Sequence, residues 1–237
     1  MRIALIGYGK MGKAIEEIAI SKGHEIVLLI TRENINEFST ENIQKAEVCI
    51  EFSSPETAFS HVKKCLEAHV PTVCGTTAWL DHLEDAKAIC LKNETAFLFA
   101  SNFSIGVNLF FKINKMVSKL MSNHHEYNVT MEEIHHTQKK DAPSGTAVTL
   151  SETIIENYPE KDKWVNEHSD RENELVIISK RIDPAPGTHS IHFDSDIDSI
   201  TLTHTAHSRK GFAMGALMAA EYIYNKKGVF TMEDILG

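Results

Sequence analysis

The sequence predicts an α/β chain: a Rossmann-type parallel sheet domain, followed by a smaller α+β substrate domain with an open mixed sheet. Three observations carry this. Strand-like and helix-like segments alternate through the first hundred residues. A glycine loop, Gly7-Tyr8-Gly9-Lys10-Met11-Gly12, directly follows the first apolar run. Beyond residue 105 the alternation gives way to one long helical pattern and several strands of period two. Alternating strands and helices bury a parallel sheet under helices joined by right-handed crossovers, whereas period-two strands leave one face wet.

Taken in order, residues 2–6 read as a short buried strand and 11–21 as a helix. Further apolar strands cover 25–30 and 48–52. A helix over 55–68 has Ala58, Val62 and Cys65 at helical spacing. A fourth strand over 70–74, a helix over 80–92 and a fifth strand over 96–100 complete the alternating part. Residues 106–121 form one long helix, and 127–135 alternate as a half-exposed strand does. Residues 144–157 are helical, with Ala147, Leu150, Ile154 and Ile155 on one side. The polar stretch 158–174 is expected to be a loop or insertion. Strands over 175–181, 189–194 and 199–207 precede a final amphipathic helix over 212–224.

The 237 residues carry a net charge of −9. The lysine pairs Lys63-Lys64, Lys139-Lys140 and Lys226-Lys227 make no basic stripe, so a nucleic-acid partner is not expected. No apolar run is long enough to span a bilayer, and the N-terminus lacks a cleavage pattern. Cys49, Cys65, Cys74 and Cys90 form no C-x-x-C pair and sit in apolar segments, which reads as reduced, buried thiols. A cytoplasmic protein is expected. The 13 histidines include the H-x-x-H pairs His189/His192 and His204/His207, read as polar strand and loop residues, with no metal site expected.

The glycine loop has the required context, a strand before it and a helix after it. Gly7 permits the tight turn, Gly9 the approach of a pyrophosphate, and Gly12 close packing of helix on strand. The helix start adds N–H groups and partial positive charge. The second strand ends Ile30-Thr31-Arg32, with Thr31 where an acid would read the ribose of NAD. Arg32 suits the 2′-phosphate of NADPH, so NADPH or NADH is expected as cofactor, with NADPH favoured. Gly75-Thr76-Thr77 and Ala100-Ser101-Asn102-Phe103 follow later strand ends, where ligands of such sheets sit, and join the cofactor candidates.

The run Glu133-Ile134-His135-His136-Thr137-Gln138-Lys139-Lys140-Asp141-Ala142-Pro143-Ser144-Gly145-Thr146-Ala147 is the most informative stretch. Neighbours on a strand face opposite ways, so His135 and His136 cannot share one buried side. Lys139 lies in a loop, and Asp141 and Pro143 signal a turn and a helix start. The amides of Ser144, Gly145 and Thr146 then offer a carboxylate or phosphate site. Histidine and lysine beside it supply a proton donor and positive charge.

This run resembles the signature of the dihydrodipicolinate reductase family. The likeness covers essentially the whole chain, through the glycine loop, E-F-S-S-P-E at Glu51, G-T-T at Gly75, A-S-N-F-S-I-G-V-N at Ala100 and S-R-K-G-F-A-M-G-A at Ser208. The resemblance implies NAD(P)H-dependent reduction of a small dicarboxylate on the diaminopimelate route to lysine, by a homotetramer. It implies His135 as proton donor or acceptor and Lys139 as proton donor, with His136, Gly145 and Thr146 on the substrate. It implies that Gly7 to Gly12, Arg32, Gly75 to Thr77 and Ala100 to Phe103 hold the cofactor. It also implies a dinucleotide-binding domain of 1–104 and 208–237, with 105–207 for substrate binding and oligomerisation. The glycine loop is one residue shorter than the family's frequent form, Thr31 replaces an acid, and Ala78 replaces the last glycine of G-T-T-G. The alternatives are another Rossmann-type amino-acid or semialdehyde dehydrogenase, or a non-catalytic NADPH-sensing protein.

Overall fold

The computed structural model describes residues 1–208 and 210–237; Arg209 of the S-R-K-G-F-A-M-G-A motif lies outside the described residues. In chain order the elements are β1 (Arg2–Ile6), α1 (Lys10–Ser21), β2 (Glu25–Ile30), α2 (Thr40–Ile43), β3 (Val48–Glu51), α3 (Pro55–Glu67), β4 (Thr72–Cys74), α4 (Leu83–Lys92) and β5 (Ala96–Phe99). There follow α5 (Ile105–Met121), β6 (Asn128–His135), α6 (Gly145–Asn157), β7 (Lys163–Val165), β8 (Glu174–Arg181), β9 (Thr188–Asp194) and β10 (Ser199–Thr205). The chain closes with α7 (Lys210–Ile223), β11 (Gly228–Phe230) and α8 (Met232–Leu236). Two compact units result: Met1–Ile105 together with the segment that ends at Gly237, and Gly106–Ser208.

The first unit is a six-stranded parallel sheet of order β11-β5-β4-β3-β1-β2. Its strands are apolar on both faces, as a sheet covered twice requires. Ile3 and Leu5 of β1 join Val48, Ile50, Val73 and Leu98 in a core with Ile15 of α1 and Ala213, Ala216, Leu217 and Ala220 of α7. Ala4 and Ile6 face the opposite layer. Chain order reverses at β1, whose neighbours are β2 and β3. The carboxyl end of β1 is therefore the switch point at which open α/β sheets bind ligands.

The second unit is a mixed sheet of order β10-β9-β6-β8-β7. The β6–β9 and β9–β10 pairs are antiparallel, and β6–β8 and β8–β7 are parallel. Val129 and Met131 of β6, Leu175 and Ile177 of β8, and Ile191 and Phe193 of β9 pack under Ala147, Leu150 and Ile154 of α6. The amide of Asn114 in α5, fully buried, donates to the Leu150 carbonyl at 2.9 Å.

The stretch 158–174, expected as a loop, contains β7, which pairs parallel with β8. Three residues at a sheet edge are too few for a period-two signal. The buried Lys161 ammonium anchors this stretch, donating to Asn128 Oδ1 and to the carbonyls of Glu172 and Glu174 at 3.0, 2.8 and 3.2 Å. Other short elements, α2, β11 and α8, are additions to the expected set. The fourth strand begins at Thr72 rather than residue 70, because Pro71 has no N–H to give the ladder.

Candidate active site

The glycine loop has the build of a dinucleotide cradle. Gly7 has φ +92°, and a Cβ there would stand 2.1 Å from the Phe52 carbonyl oxygen; one on Gly12 would stand 2.3 Å from the Gly7 carbonyl. Gly9, at the N-cap of α1, has open space over its Cα. Among the described residues no side chain caps that helix start, and its first turn holds no acid. Uncapped N–H groups at an open helix start are what a pyrophosphate needs, so the residues present fit the cofactor. A cleft of about 670 Å³ lies here, lined by Gly7, Tyr8, Gly9, Lys13, Thr31, Arg32, Ser53, Ser54, Thr57 and His61 among others. Thr31 N and Oγ1 donate to Asn34 Oδ1 at 2.7 and 3.1 Å, tying down the turn that carries the exposed Arg32.

Several expected cofactor residues are not among those lining this cleft. Lys10 is exposed, and Met11 packs on the core. Neither of the two later loops is in the cleft lining. Gly75 lies against the Phe52 ring. Thr76 is buried, its Oγ1 accepting from Ser53 N at 2.9 Å and its carbonyl accepting from Trp79 Nε1 at 2.6 Å. Phe103 is a core side chain stacked obliquely on Phe52 at 5.6 Å. Asn102 Oδ1 accepts from Ser104 N at 2.8 Å. The exposed Thr77 and Ser101 and the half-buried Ala100 flank these contacts. Burial turns the side chains of Thr76 and Phe103 inward, where they shape the two loops. Ala78 takes φ +61°, the left-handed region that costs a residue with a Cβ about 1 kcal/mol.

The lining Ser53, Ser54, Thr57 and His61 escaped sequence reasoning, although E-F-S-S-P-E follows a strand end as the other loops do. Beneath them Glu51 is buried and accepts from Ser53 N and Cys74 Sγ, each at 3.0 Å. Burial pushes the Glu51 carboxyl up, but the donors His61, Ser53 and Cys74 outweigh it and hold the group below the usual carboxylate range.

In the second unit the site begins where the core face of β6 turns polar. Val129 and Met131 are apolar; Glu133 and His135 continue the same face and are also buried. His136 faces the other way and is half-buried. Glu133 lies opposite His189 across the β6–β9 pair, and His135 lies opposite Arg181 across β6–β8. Register thus collects four polar side chains. The Glu133 carboxylate accepts from Arg181 Nη2 at 3.0 Å and from Ser144 N at 3.1 and 3.2 Å. His135 Nδ1 is 3.3 Å from Glu133 Oε2 but poorly aligned for a hydrogen bond. His189 Nε2 stands 3.8 Å from the same oxygen and 3.1 Å from Ser144 Oγ. The two imidazoles meet edge to face at 5.1 Å.

Burial opposes the Glu133 charge, but His135, Ser144 and Arg181 overcome it and hold the carboxyl far below the usual range. His189 is pushed down to about 4, first by burial and then by His135. Both shifts have the same sign for stability. The unfolded chain binds protons at higher pH than the fold does, so stability is lost as pH falls. His189 loses its contribution as pH drops from about 6.5 towards 4, on the order of 3 kcal/mol; Glu133 loses its own below about 4.5. Chemical denaturation of His189→Gln should show a weaker loss of stability than the parent chain between pH 7 and 5.

Sequence reasoning missed Glu133, His189, Arg181 and Asp141. Glu133 was findable, two residues before His135 on one strand. His189, expected as a polar strand residue, is buried in the site. Glu133, His135 and His189 each present a ligand atom within 4.8 Å of the others, although Arg181 and Ser144 already engage two of these groups. Lys139 lies in the loop after β6, its Nζ 2.8 Å from both Asp141 carboxylate oxygens, and this ammonium holds the Asp141 carboxyl below its ordinary value. Ser144, expected among the substrate-binding amides, is buried; its N–H is spent on Glu133, and its Oγ caps α6 by accepting from Ala147 N. Gly145 is exposed with open space over its Cα, and Thr146 beside it is half-buried. The arrangement offers proton-transfer groups, a mobile-length cation and an open helix start for an anion.

Residues 1–103 match the family profile described as "Dihydrodipicolinate reductase, N-terminus", and residues 106–236 match "Dihydrodipicolinate reductase, C-terminus". The chain is 45% identical over 240 residues to the 4-hydroxy-tetrahydrodipicolinate reductase of Christiangramia forsetii, covering 100% of this chain and 98% of the relative. It is 34% identical over 239 residues to the enzyme of that name from Thermosipho africanus, again covering 100% and 98%. Among solved structures it resembles a dipicolinate-bound dihydrodipicolinate reductase from Paenisporosarcina sp. TG-14, with a TM-score of 0.81, 24% identity and coverage of 98% and 97%. An amine dehydrogenase from Mycobacterium smegmatis shares the fold at a TM-score of 0.61 and 10% identity, over 98% and 95% of the two chains.

Proposed function

The chain belongs to the dihydrodipicolinate reductase family, and from that premise we propose that it reduces 4-hydroxy-tetrahydrodipicolinate to tetrahydrodipicolinate with NADPH or NADH, the 4-hydroxyl leaving as water, in lysine biosynthesis through diaminopimelate. One observation carries the reading beyond kinship: the polar end of β6, with His135 buried beside Glu133, leads through Lys139 to the open start of α6. When bound, the nicotinamide supplies the hydride. The protein's residues do the rest. The Gly145 and Thr146 amides and the partial positive charge of α6 receive one substrate carboxylate. The Lys139 ammonium leaves Asp141 for the substrate, and His136 adds a contact from the other side of the strand. His135 and Lys139 deliver the proton that follows the hydride, and the fixed carboxylates hold the ring for it.

The glycine loop, with Ser53, Ser54 and Thr57, holds the dinucleotide, and Arg32 reads the 2′-phosphate. Arg32→Ala should weaken NADPH binding about tenfold or more, the scale of a charge-assisted bond, and barely change NADH binding. Equal losses in a titration with both cofactors would remove the NADPH preference. The reading places a homotetramer in the cytoplasm, where the four buried free cysteines stay reduced. A substrate panel tests it against the amino-acid and semialdehyde dehydrogenases: cofactor oxidation with the cyclic dicarboxylate alone supports it, and oxidation driven by a linear amino acid or semialdehyde contradicts it.

A further inference from the structure

We propose that Glu133 is the positioning residue of the proton-transfer site, holding His135 in the tautomer with its proton on Nδ1 and so leaving Nε2 as the atom that exchanges protons. The inference rests on the assignment of His135 as a proton-transfer group. Glu133 is fully buried and ionised, so its oxygens only accept. His135 Nδ1 lies 3.3 Å from Oε2, the carboxylate oxygen beside it, and makes no hydrogen bond to any of the described residues. A carboxylate beside one ring nitrogen favours the proton there, which is how a buried acid orients the imidazole of a catalytic triad.

Three neighbours, Gly187, Arg181 and Ser144, limit the remaining freedom. Gly187 has φ +156°, and a Cβ on it would stand 3.0 Å from His135 Nε2 and 3.2 Å from Cδ2. A side chain at Gly187 would therefore displace the Nε2 edge of the ring. Arg181 and Ser144 N hold the Glu133 carboxylate from other directions, so it cannot swing away from the ring. His189 does not substitute for His135. Its Nε2 is engaged with Ser144 Oγ, and its ring is more deeply buried.

The test has two parts. In the parent protein, long-range ¹H–¹⁵N spectra above pH 8, with His135 assigned by its absence in His135→Gln, should report the Nδ1–H tautomer. A predominant Nε2–H tautomer overturns the inference, and this readout needs no variant of Glu133. Glu133→Gln keeps an oxygen for Ser144 N but removes the charge, so kcat should fall about 10–100-fold with KM nearly unchanged. Added to His135→Gln, it should cost little more, because the two act as a unit. If His135→Gln is slow but Glu133→Gln turns over at the parent rate, or if the two losses multiply, this inference alone fails. If His135→Gln itself turns over at the parent rate, the assignment beneath it fails as well.

Discussion

His135→Gln and Lys139→Ala are each expected to lower kcat about 10²–10⁴-fold with modest change in substrate affinity, the range for losing a positioned general acid. The physical case differs for the two. His135 is buried at the end of β6, beside an ionised carboxylate and edge-on to a second imidazole, so its position is over-determined. Lys139 is on a loop, with its ammonium on Asp141 at 2.8 Å. It must exchange that partner for the substrate, so Asp141→Asn should alter KM more than kcat. If both groups serve one proton transfer, the double variant should be little slower than the slower single variant. Steady-state assays of the three variants check this. Parent-level turnover in both single variants would remove the proton-transfer roles.

Glu133→Ala is expected to destabilise the second unit by about 3 kcal/mol at neutral pH, the lower end for removing one partner of a buried ion pair. The loss stays at that end because Arg181 is partly exposed and can turn to water. The Ser144 amide cannot; it is buried and would lose its acceptor at the start of α6. A loose α6 start loosens Ala147, Leu150 and Ile154 on the sheet. Urea unfolding followed through Trp164, which packs against this core, measures the loss in a Trp79→Phe background. Glu133→Gln should cost clearly less, since it retains an acceptor. Equal stability of the Ala variant and the parent would mean that the hub is not structural.

The parallel sheet was legible in the sequence because buried strands such as I-A-L-I carry their apolar pattern locally, and a G-x-G-x-x-G behind one fixes the turn. The opposed faces of His135 and His136 were legible for the same reason, as period two is a property of the strand alone. Pairing information was not. That Glu133 meets His189, and His135 meets Arg181, depends on the register of β6 with β9 and β8. Burial was also hidden. Thr76 and Phe103 follow strand ends like ligand-facing residues, yet their side chains turn inward onto Ser53 and Phe52. Ser144 looked like one amide of an anion site until Glu133 was found to take its N–H. The strand β7 escaped because three polar-flanked residues at an edge carry no periodic signal.

A nicotinamide-dependent reduction of a cyclic dicarboxylate is measured by the stoichiometry of cofactor oxidation by the parent protein with the freshly formed condensation product of pyruvate and aspartate semialdehyde. The expected result is rapid oxidation of NADPH, slower or equal oxidation of NADH, and one tetrahydrodipicolinate formed for each cofactor consumed. Failure to oxidise either cofactor with that substrate, by a protein that still binds NADPH, would contradict it.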